Sequence, residues 1–139
     1  MNSHYTYKNQ DTIIDILDHC HTIAVVGLSS QPHRAGHYVP AYLQRNGYRV
    51  IPVNPNLDRA LGEVAYPDLL AIPEPVDLVL VFRRSEAVPP VVDQAIQIGA
   101  RALWMQLGVI NLPAAEAASQ AGLQVVMDAC MMVEHRRFM

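Results

Sequence analysis

The sequence lacks any block of lysine or arginine residues, and its formal net charge is −3. Proteins that bind nucleic acids or anionic membrane surfaces need a concentrated basic face, so the sequence argues against both kinds of partner. It also lacks a long apolar run, and its polar start does not have the basic-then-apolar form of a signal peptide. We therefore expect a soluble, cytoplasmic protein.

Cysteine is scarce as well. Cys20 and Cys130 are far apart and form no C-x-x-C pair, which excludes a typical zinc site or disulfide framework. No repeat, metal-ligand spacing or Ser/His/Asp arrangement is visible. With 139 residues and 51% hydrophobic content, the chain can form one core but is short for a separate catalytic domain. We predict a single domain over residues 1–139, in which residues 1–21 form an N-terminal helical extension.

Apolar strands and amphipathic helices alternate along the chain. This order is typical of a parallel sheet that helices cover on both faces. We predict an α/β fold: a Rossmann-like three-layer α/β/α domain with a mainly parallel sheet of about five strands in the order 3-2-1-4-5. Pro40 lies inside a predicted helix and should kink it or stand near its first turn. The predicted strands cover residues 22–26, 48–53, 77–82, 102–105 and 124–127, with a short edge strand near 62–66.

The most informative segment follows the first predicted strand, where Gly27-Leu28-Ser29-Ser30 makes a small-residue turn into a helix. Such a turn lets backbone N–H groups approach a phosphate beside the positive end of the helix. Ser29 and Pro32 replace the second and third glycines of the G-x-G-x-x-G pattern, so the motif reads G-x-S-x-x-P. Taken alone, Gly27 and Ser29 are also compatible with an ordinary tight turn.

The carboxyl ends of parallel strands meet at one edge of the sheet, where ligands bind. The residues that should share this crevice are Gly27-Leu28-Ser29-Ser30, Val53-Asn54-Pro55, Phe82-Arg83-Arg84, Gln106-Leu107-Gly108 and Asp128-Ala129-Cys130.

The charges in this crevice favour a strongly anionic ligand. The second strand ends without the acid that usually binds the ribose of NAD, and no arginine follows it directly, although Arg59 lies further along. Arg34, Arg83 and Arg84 have the charge and geometry to bind several phosphate groups. Arg83 and Arg84 are also compatible with ordinary solvated charges.

Several segments together resemble the small bacterial and archaeal CoA-binding proteins, which are similar to the N-terminal CoA-binding domain of the succinyl-CoA synthetase alpha subunit. The resemblance covers about residues 22–137 and implies a Rossmann-like fold with coenzyme A or an acyl-CoA as ligand. The matching segments are 27–34, 47–55, 76–84, 98–100, 104–109 and 126–130.

The resemblance also assigns roles to residues. Gly27, Ser29, Ser30 and Arg34 would hold the phosphates, Val53-Asn54-Pro55 would line the adenosine side, and Phe82-Arg83-Arg84 would form the opposite wall. We add Leu28, Gln106, Gly108 and Cys130 to the predicted cofactor-binding set. Cys130 would lie near the thiol end of the ligand, although a buried, inert cysteine is the simpler interpretation.

The related synthetase carries its phosphorylated histidine in a second domain, for which this chain has no counterpart, so ligase chemistry is not implied. We therefore expect no catalytic residues and no metal, and a carrier, sensor or regulatory role for a CoA-binding domain. Two alternatives stay open: an NAD(P)-binding redox or regulatory module, and a ligand-regulated protein-interaction module whose protein partner the sequence does not identify.

Overall fold

The computed structural model describes residues 3–139 of the chain, so the first two residues of the predicted N-terminal extension and of the polar start lie outside the described residues. The remainder of the extension is a 3-10 helix, Ser3–Lys8, followed by helix α1, Gln10–His19. Asn9 caps α1, because its side chain accepts a hydrogen bond from the N–H of Thr12.

Five strands form the main sheet, and every pairing in it is parallel. The strands are β1 (Thr22–Val26), β2 (Arg49–Val53), β5 (Leu78–Val81), β6 (Ala102–Met105) and β7 (Gln124–Val126), and a separate hairpin consists of β3 (Arg59–Ala60) and β4 (Glu63–Val64). The connecting and terminal helices are α2 (Ala35–Arg45), α3 (Val88–Gln97), α4 (Leu112–Gln120) and α5 (Met131–Phe138), with 3-10 turns at Leu69–Ala71 and Ser85–Ala87.

The fold is the predicted three-layer α/β/α architecture. Alternate side chains of the strands enter two cores, one on each face of the sheet. Ala24 and Val26 of β1 face the core shared with α3 and α4, whereas Ile23 and Val25 face the core shared with α1, α2 and α5. Because both faces are covered, the strands are almost wholly apolar.

The order of the strands differs from the predicted 3-2-1-4-5 at one edge. The prediction places a third strand, the short edge strand near 62–66, outside the second. The observed order is β2-β1-β5-β6-β7, and beyond β2 the described residues form one isolated bridge, between Val53 and Tyr66. Pro67 follows Tyr66 and has no N–H to continue the ladder, and the preceding residues pair with one another as the β3–β4 hairpin. The predicted edge strand near 62–66 is therefore not part of the main sheet.

Within residues 3–139, no helix combines the length and the apolar character needed to cross a membrane. The same part of the chain holds no group of three or more His, Cys, Asp or Glu side chains placed to bind a metal ion.

Asp77 organises the edge of the sheet opposite the carboxyl ends. Its Oδ2 accepts hydrogen bonds from the N–H groups of His21 (2.9 Å) and Thr22 (3.0 Å), and its main-chain oxygen accepts from Arg101 and Ala102. Burial opposes ionisation of Asp77, but the two N–H donors and the nearby positive charge of Arg101 outweigh it and lower the pKa of the carboxyl. Asp77 thus joins the start of β1 through its charged side chain, and the start of β6 through its main-chain oxygen, to the residue that precedes β5.

This arrangement predicts an acid-sensitive contribution to stability. Because the pKa of Asp77 is lowered on folding, its contribution is present above the unfolded value near 4 and is lost as the pH falls through the folded value. At pH 7, Asp77→Asn should lower the free energy of unfolding by about 1–2 kcal/mol, somewhat less than a full charged hydrogen bond, because asparagine keeps an acceptor oxygen and the position is partly exposed. Denaturant unfolding should show that this difference shrinks by pH 3. Asp93→Asn, at an exposed position of α3, is the control, and an equal loss for Asp77→Asn at both pH values would contradict the assignment.

Candidate functional site

Two clefts open at the carboxyl edge of the sheet, on either side of the loop that follows β1. The large cleft has a volume of about 470 Å³ and lies towards α2 and α5. The small cleft, of about 140 Å³, lies towards α3. The large cleft is lined by Gly27, Ser29, Arg34, Ala35, Gly36, Tyr38, Phe82, Gln106, Leu107, Val109 and Cys130, and the small cleft by Val26, Val53, Pro67, Asp68, Leu69, Arg83, Pro90, Val91 and Gln94.

Gly27 begins the loop where the backbones of two strands nearly touch. Its φ of +88° lies in the left-handed region, and a Cβ at this position would stand 2.1 Å from the carbonyl oxygen of Phe82. The N–H of Gly27 donates to the carbonyl oxygen of Val53 at 2.9 Å. Only glycine satisfies both the backbone conformation and the close approach.

Ser29 is fixed by hydrogen bonds on three of its groups. Its N–H donates to the carbonyl oxygen of Gly36 (3.0 Å), and its hydroxyl accepts from the N–H of Gln31 (3.1 Å). Its carbonyl oxygen lies 2.8 Å from Nδ1 of His37, and since a carbonyl only accepts, Nδ1 carries the proton. The loop is therefore fastened to the first turns of α2.

Pro40 explains why Gly36 can accept a hydrogen bond from the loop. In a regular helix the N–H of residue 40 would donate to the carbonyl oxygen of residue 36. Proline has no N–H, so the Gly36 oxygen is available to the N–H of Ser29. Pro40 stands beyond the first turn of α2, and the helix continues through it to Arg45.

The first turn of α2 presents uncapped N–H groups to the large cleft. Arg34 is the N-cap residue and makes no side-chain cap. Within residues 3–139, the N–H groups of Ala35 and Gly36 have no hydrogen-bond acceptor, and both residues line the large cleft. The partial positive charge of a helix N-terminus and free N–H donors together favour an anion at this position.

The three predicted arginines have different surroundings. Across the described part of the chain, Arg34 and Arg83 have no carboxylate partner, and they line the large and the small cleft respectively. Arg34 donates to the side-chain oxygen of Gln31 at 3.3 Å. Arg84 points to solvent, with a side chain 88% exposed, and lies 3.5 Å from Glu86. Arg34 and Arg83 thus line the clefts without a carboxylate partner, whereas Arg84 lines neither cleft and lies beside a carboxylate.

Gln106 places an amide donor in the large cleft. The residue is only 4% exposed, and its Oε1 accepts from the N–H of Met131, the first residue of α5, at 3.3 Å. Because this bond takes up the amide oxygen, the amide nitrogen Nε2 points in the other direction. Among residues 3–139 every fully buried side-chain N or O atom has a hydrogen-bond partner. Nε2 of Gln106 has no such partner, so it is not fully buried and is accessible from the cleft. A ligand with a carbonyl oxygen could accept its hydrogen bond.

The two cysteines differ in accessibility. Cys130 is half-buried, stands at the N-cap of α5 and lines the large cleft. Cys20 is fully buried, and burial raises the pKa of its thiol to about 11. Cys130 is therefore the thiol within reach of a ligand.

Helices α2 and α5, whose N-termini flank the large cleft, are joined further along their lengths. The Tyr42 hydroxyl and His135 Nδ1 are hydrogen-bonded at 2.7 Å, and the His135 ring meets those of Tyr42 and Tyr48 edge-on. Burial lowers the pKa of His135, which favours the neutral ring. The two walls of the cleft are thus connected away from its mouth.

The structure divides the residues predicted for one crevice among several positions. The large cleft brings together Gly27, Ser29, Arg34, Phe82, Gln106 and Cys130, and the small cleft brings together Val53 and Arg83. Leu28 is buried in the core, and Asn54 supports the loop by donating from Nδ2 to the Leu28 oxygen at 2.9 Å. Ser30, Pro55, Arg84 and Gly108 lie outside the linings of both clefts.

Sequence reasoning missed several residues at the site. His37 and Tyr38 are absent from the predicted set, although both closely follow the loop that the sequence singles out. Asp68 and Gln94 line the small cleft from segments that no strand-end rule identifies. Gln94 Oε1 accepts from the N–H of Leu69 at 3.0 Å and thereby fixes the wall of this cleft.

Comparisons with known proteins agree with this architecture. A family model described as a CoA binding domain matches residues 21–136. The protein YneT of Bacillus subtilis (strain 168) is 43% identical over 123 residues, which are 88% of this chain and 91% of YneT. A solved structure of a hypothetical protein from Pyrococcus horikoshii OT3 superposes with a TM-score of 0.90 at 38% identity, covering 94% of this chain and 92% of that one.

A longer relative is the ADP-forming acetate–CoA ligase II of Archaeoglobus fulgidus, which is 34% identical over 92 residues. The match takes in 63% of this chain but only 14% of the ligase. Because the family model extends over most of the chain, from β1 to α5, and fits the fold just described, the chain belongs to the CoA-binding domain family.

Proposed function

We propose that this protein binds coenzyme A or an acyl-CoA at the carboxyl edge of the sheet. The observation that carries the proposal is the uncapped first turn of α2, which opens into the large cleft beside Arg34, whose side chain has no carboxylate partner among the described residues. This combination of N–H donors and a cation suits the diphosphate of CoA. Membership of the CoA-binding domain family supports the same ligand.

We assign the two clefts to the two ends of such a ligand. The adenosine end would occupy the small cleft, where Arg83 suits a phosphate on the ribose. The pantetheine arm would follow the large cleft, where Gln106 Nε2 can donate to an amide carbonyl and Cys130 lies beyond it. The Gly27–Ser30 loop stands between the clefts, next to the proposed diphosphate position.

The role we propose is non-catalytic: a carrier, sensor or regulatory domain in the cytoplasm. The polar side chains of the large cleft belong to Ser29, Arg34, Tyr38, Gln106 and Cys130, a set suited to holding a ligand. A ligand-regulated interaction with another protein is compatible with this role, because Tyr38 and Leu107 at the cleft are 44% and 65% exposed.

An NAD(P) ligand is the alternative, and Asp68 is the observation in its favour, since a carboxylate in the small cleft suits a ribose hydroxyl. Titration calorimetry with CoA, dephospho-CoA, NAD and NADP separates the two. We expect heat with CoA at the lowest ligand concentration. Binding of NAD or NADP without binding of CoA would overturn the proposal.

Arginine substitutions test the placement of the phosphates. Arg34→Ala and Arg83→Ala should each weaken CoA binding by about 1.5–3 kcal/mol, the scale of hydrogen bonds to charged groups, and the loss should shrink at high salt. Arg83→Ala should also remove most of the preference for CoA over dephospho-CoA. Arg84→Ala is the matched control and should leave the affinity unchanged, because Arg84 faces solvent. Equal effects of all three substitutions, or none from any, would refute the placement.

Pro40→Ala tests whether the loop is held ready for the ligand. The new N–H at residue 40 would compete with Ser29 for the Gly36 oxygen, so CoA should bind about 2–10 times more weakly, the equivalent of one ordinary hydrogen bond. The free energy of unfolding should change little, since alanine favours the helix but fills less of the core. Pro113→Ala, in the first turn of α4 where no hydrogen bond is at stake, should not alter binding. Unchanged affinity in Pro40→Ala would contradict this role.

Cys130 should form a mixed disulfide when the protein meets oxidised CoA. The Cys130 thiolate would attack the disulfide of CoA disulfide, forming a protein–CoA disulfide and releasing one reduced CoA. Intact mass should show one adduct in the native protein and in Cys20→Ser, and none in Cys130→Ser. An adduct on Cys20, whose thiol is buried and has its pKa raised to about 11, or no adduct at all, would count against the proposed path of the pantetheine arm.

A further inference from the structure

A third cleft, which we call the side cleft, adjoins the large cleft where the proposed path of the pantetheine arm ends. Its volume is about 330 Å³, and it shares Leu107 and Cys130 with the lining of the large cleft. A ligand that extends past Cys130 would therefore enter the side cleft. Leu107 lies at the junction and is 65% exposed, so little other structure covers the passage.

The side cleft has an apolar wall and an ion-paired rim. Leu107 and Val133 of α5, which are 65% and 50% exposed, supply most of the apolar surface, and Ile13 of α1 and Ala129 line it with little exposed area of their own. Free CoA ends in a thiol at this junction and would leave this surface in contact with water. An aliphatic extension of the ligand would cover it, which is favourable in proportion to the apolar area removed from water.

The charges around the side cleft already have partners of opposite sign. Lys8 Nζ lies 3.3 Å from Asp128 Oδ2, and Arg137 lies 3.7 Å from Glu134 Oε2. The formal charges of these side chains cancel. A carboxylate at the end of a ligand would have to displace an acidic side chain to gain a cation, which favours an uncharged occupant.

We propose that the side cleft receives the acyl group of an acyl-CoA thioester, and that this group is a short, uncharged aliphatic chain. The inference rests on the proposed CoA-binding function and names the ligand class within it. Gln106 Nε2, the unpaired amide donor of the large cleft, would serve a carbonyl oxygen of the ligand just before the junction.

Calorimetry with CoA, butyryl-CoA, hexanoyl-CoA and succinyl-CoA tests the assignment. Burial of the added methylene groups should make hexanoyl-CoA bind at least about tenfold more tightly than CoA, with butyryl-CoA between them. Succinyl-CoA has a four-carbon acyl group like butyryl-CoA but ends in a carboxylate, and it should bind no more tightly than CoA.

Val133→Arg locates the acyl group. Val133 is 50% exposed on α5, so the substitution should be tolerated, and its long charged side chain would occupy the side cleft. The hexanoyl-CoA to CoA affinity ratio should fall towards one, and this ratio cancels any general effect of the added charge on the phosphates. Val64→Arg makes the same change at a 47% exposed position on the β3–β4 hairpin and should preserve the native ratio.

The outcomes distinguish this inference from the proposed function. Binding of CoA with no advantage for hexanoyl-CoA, or an advantage that survives Val133→Arg, would overturn the side cleft as an acyl site and leave CoA binding intact. Tighter binding of succinyl-CoA than of butyryl-CoA would overturn the preference for an uncharged chain. Failure of CoA and every acyl-CoA to bind would overturn the proposed function, and the acyl site with it.

Discussion

The close approach of Gly27 to Phe82 is the constraint on which the rest of the site depends. β1 and β5 are neighbours in the sheet, and their crossover helices α2 and α3 lie on opposite faces. A side chain at Gly27 would collide with the Phe82 carbonyl and separate the two strand ends. Gly27 lines the large cleft, and Arg83, which directly follows Phe82, lines the small one. Both clefts therefore take their positions from one contact between backbones.

The loop that begins at Gly27 is anchored by two different elements. The end of β2 supplies the Val53 oxygen and the amide of Asn54, and the start of α2 supplies the Gly36 oxygen and the ring of His37. Pro40 contributes by leaving one helical acceptor, the Gly36 oxygen, available to the loop. Such a loop does not have to become ordered when a ligand arrives, and the conformational cost of binding is correspondingly small.

The sequence was sufficient for the layers and the strands, because short apolar runs bounded by glycine, proline and polar turns are typical of buried parallel strands. It could not assign each strand end to a cleft, since this depends on side-chain direction. Arg83 and Arg84 are neighbours in sequence, yet one lines the small cleft and the other faces solvent. Asn54 is predicted to line a ligand, but its amide hydrogen-bonds the loop and its own turn. The predicted strand order is wrong at the one place where a proline ends the pairing after a single bridge.

The hydrogen bond between Tyr42 and His135 joins residues 93 positions apart in the chain, and no local pattern could have indicated it. It ties α5 to the helix of the first crossover, so that segments that leave the ribosome at very different times meet beside the large cleft. The wall formed by α5 can assume its final place only after the residues of α5 have been synthesised. A nascent chain that has not yet reached α5 would therefore lack one wall of the cleft, and it would not sequester a ligand that needs both.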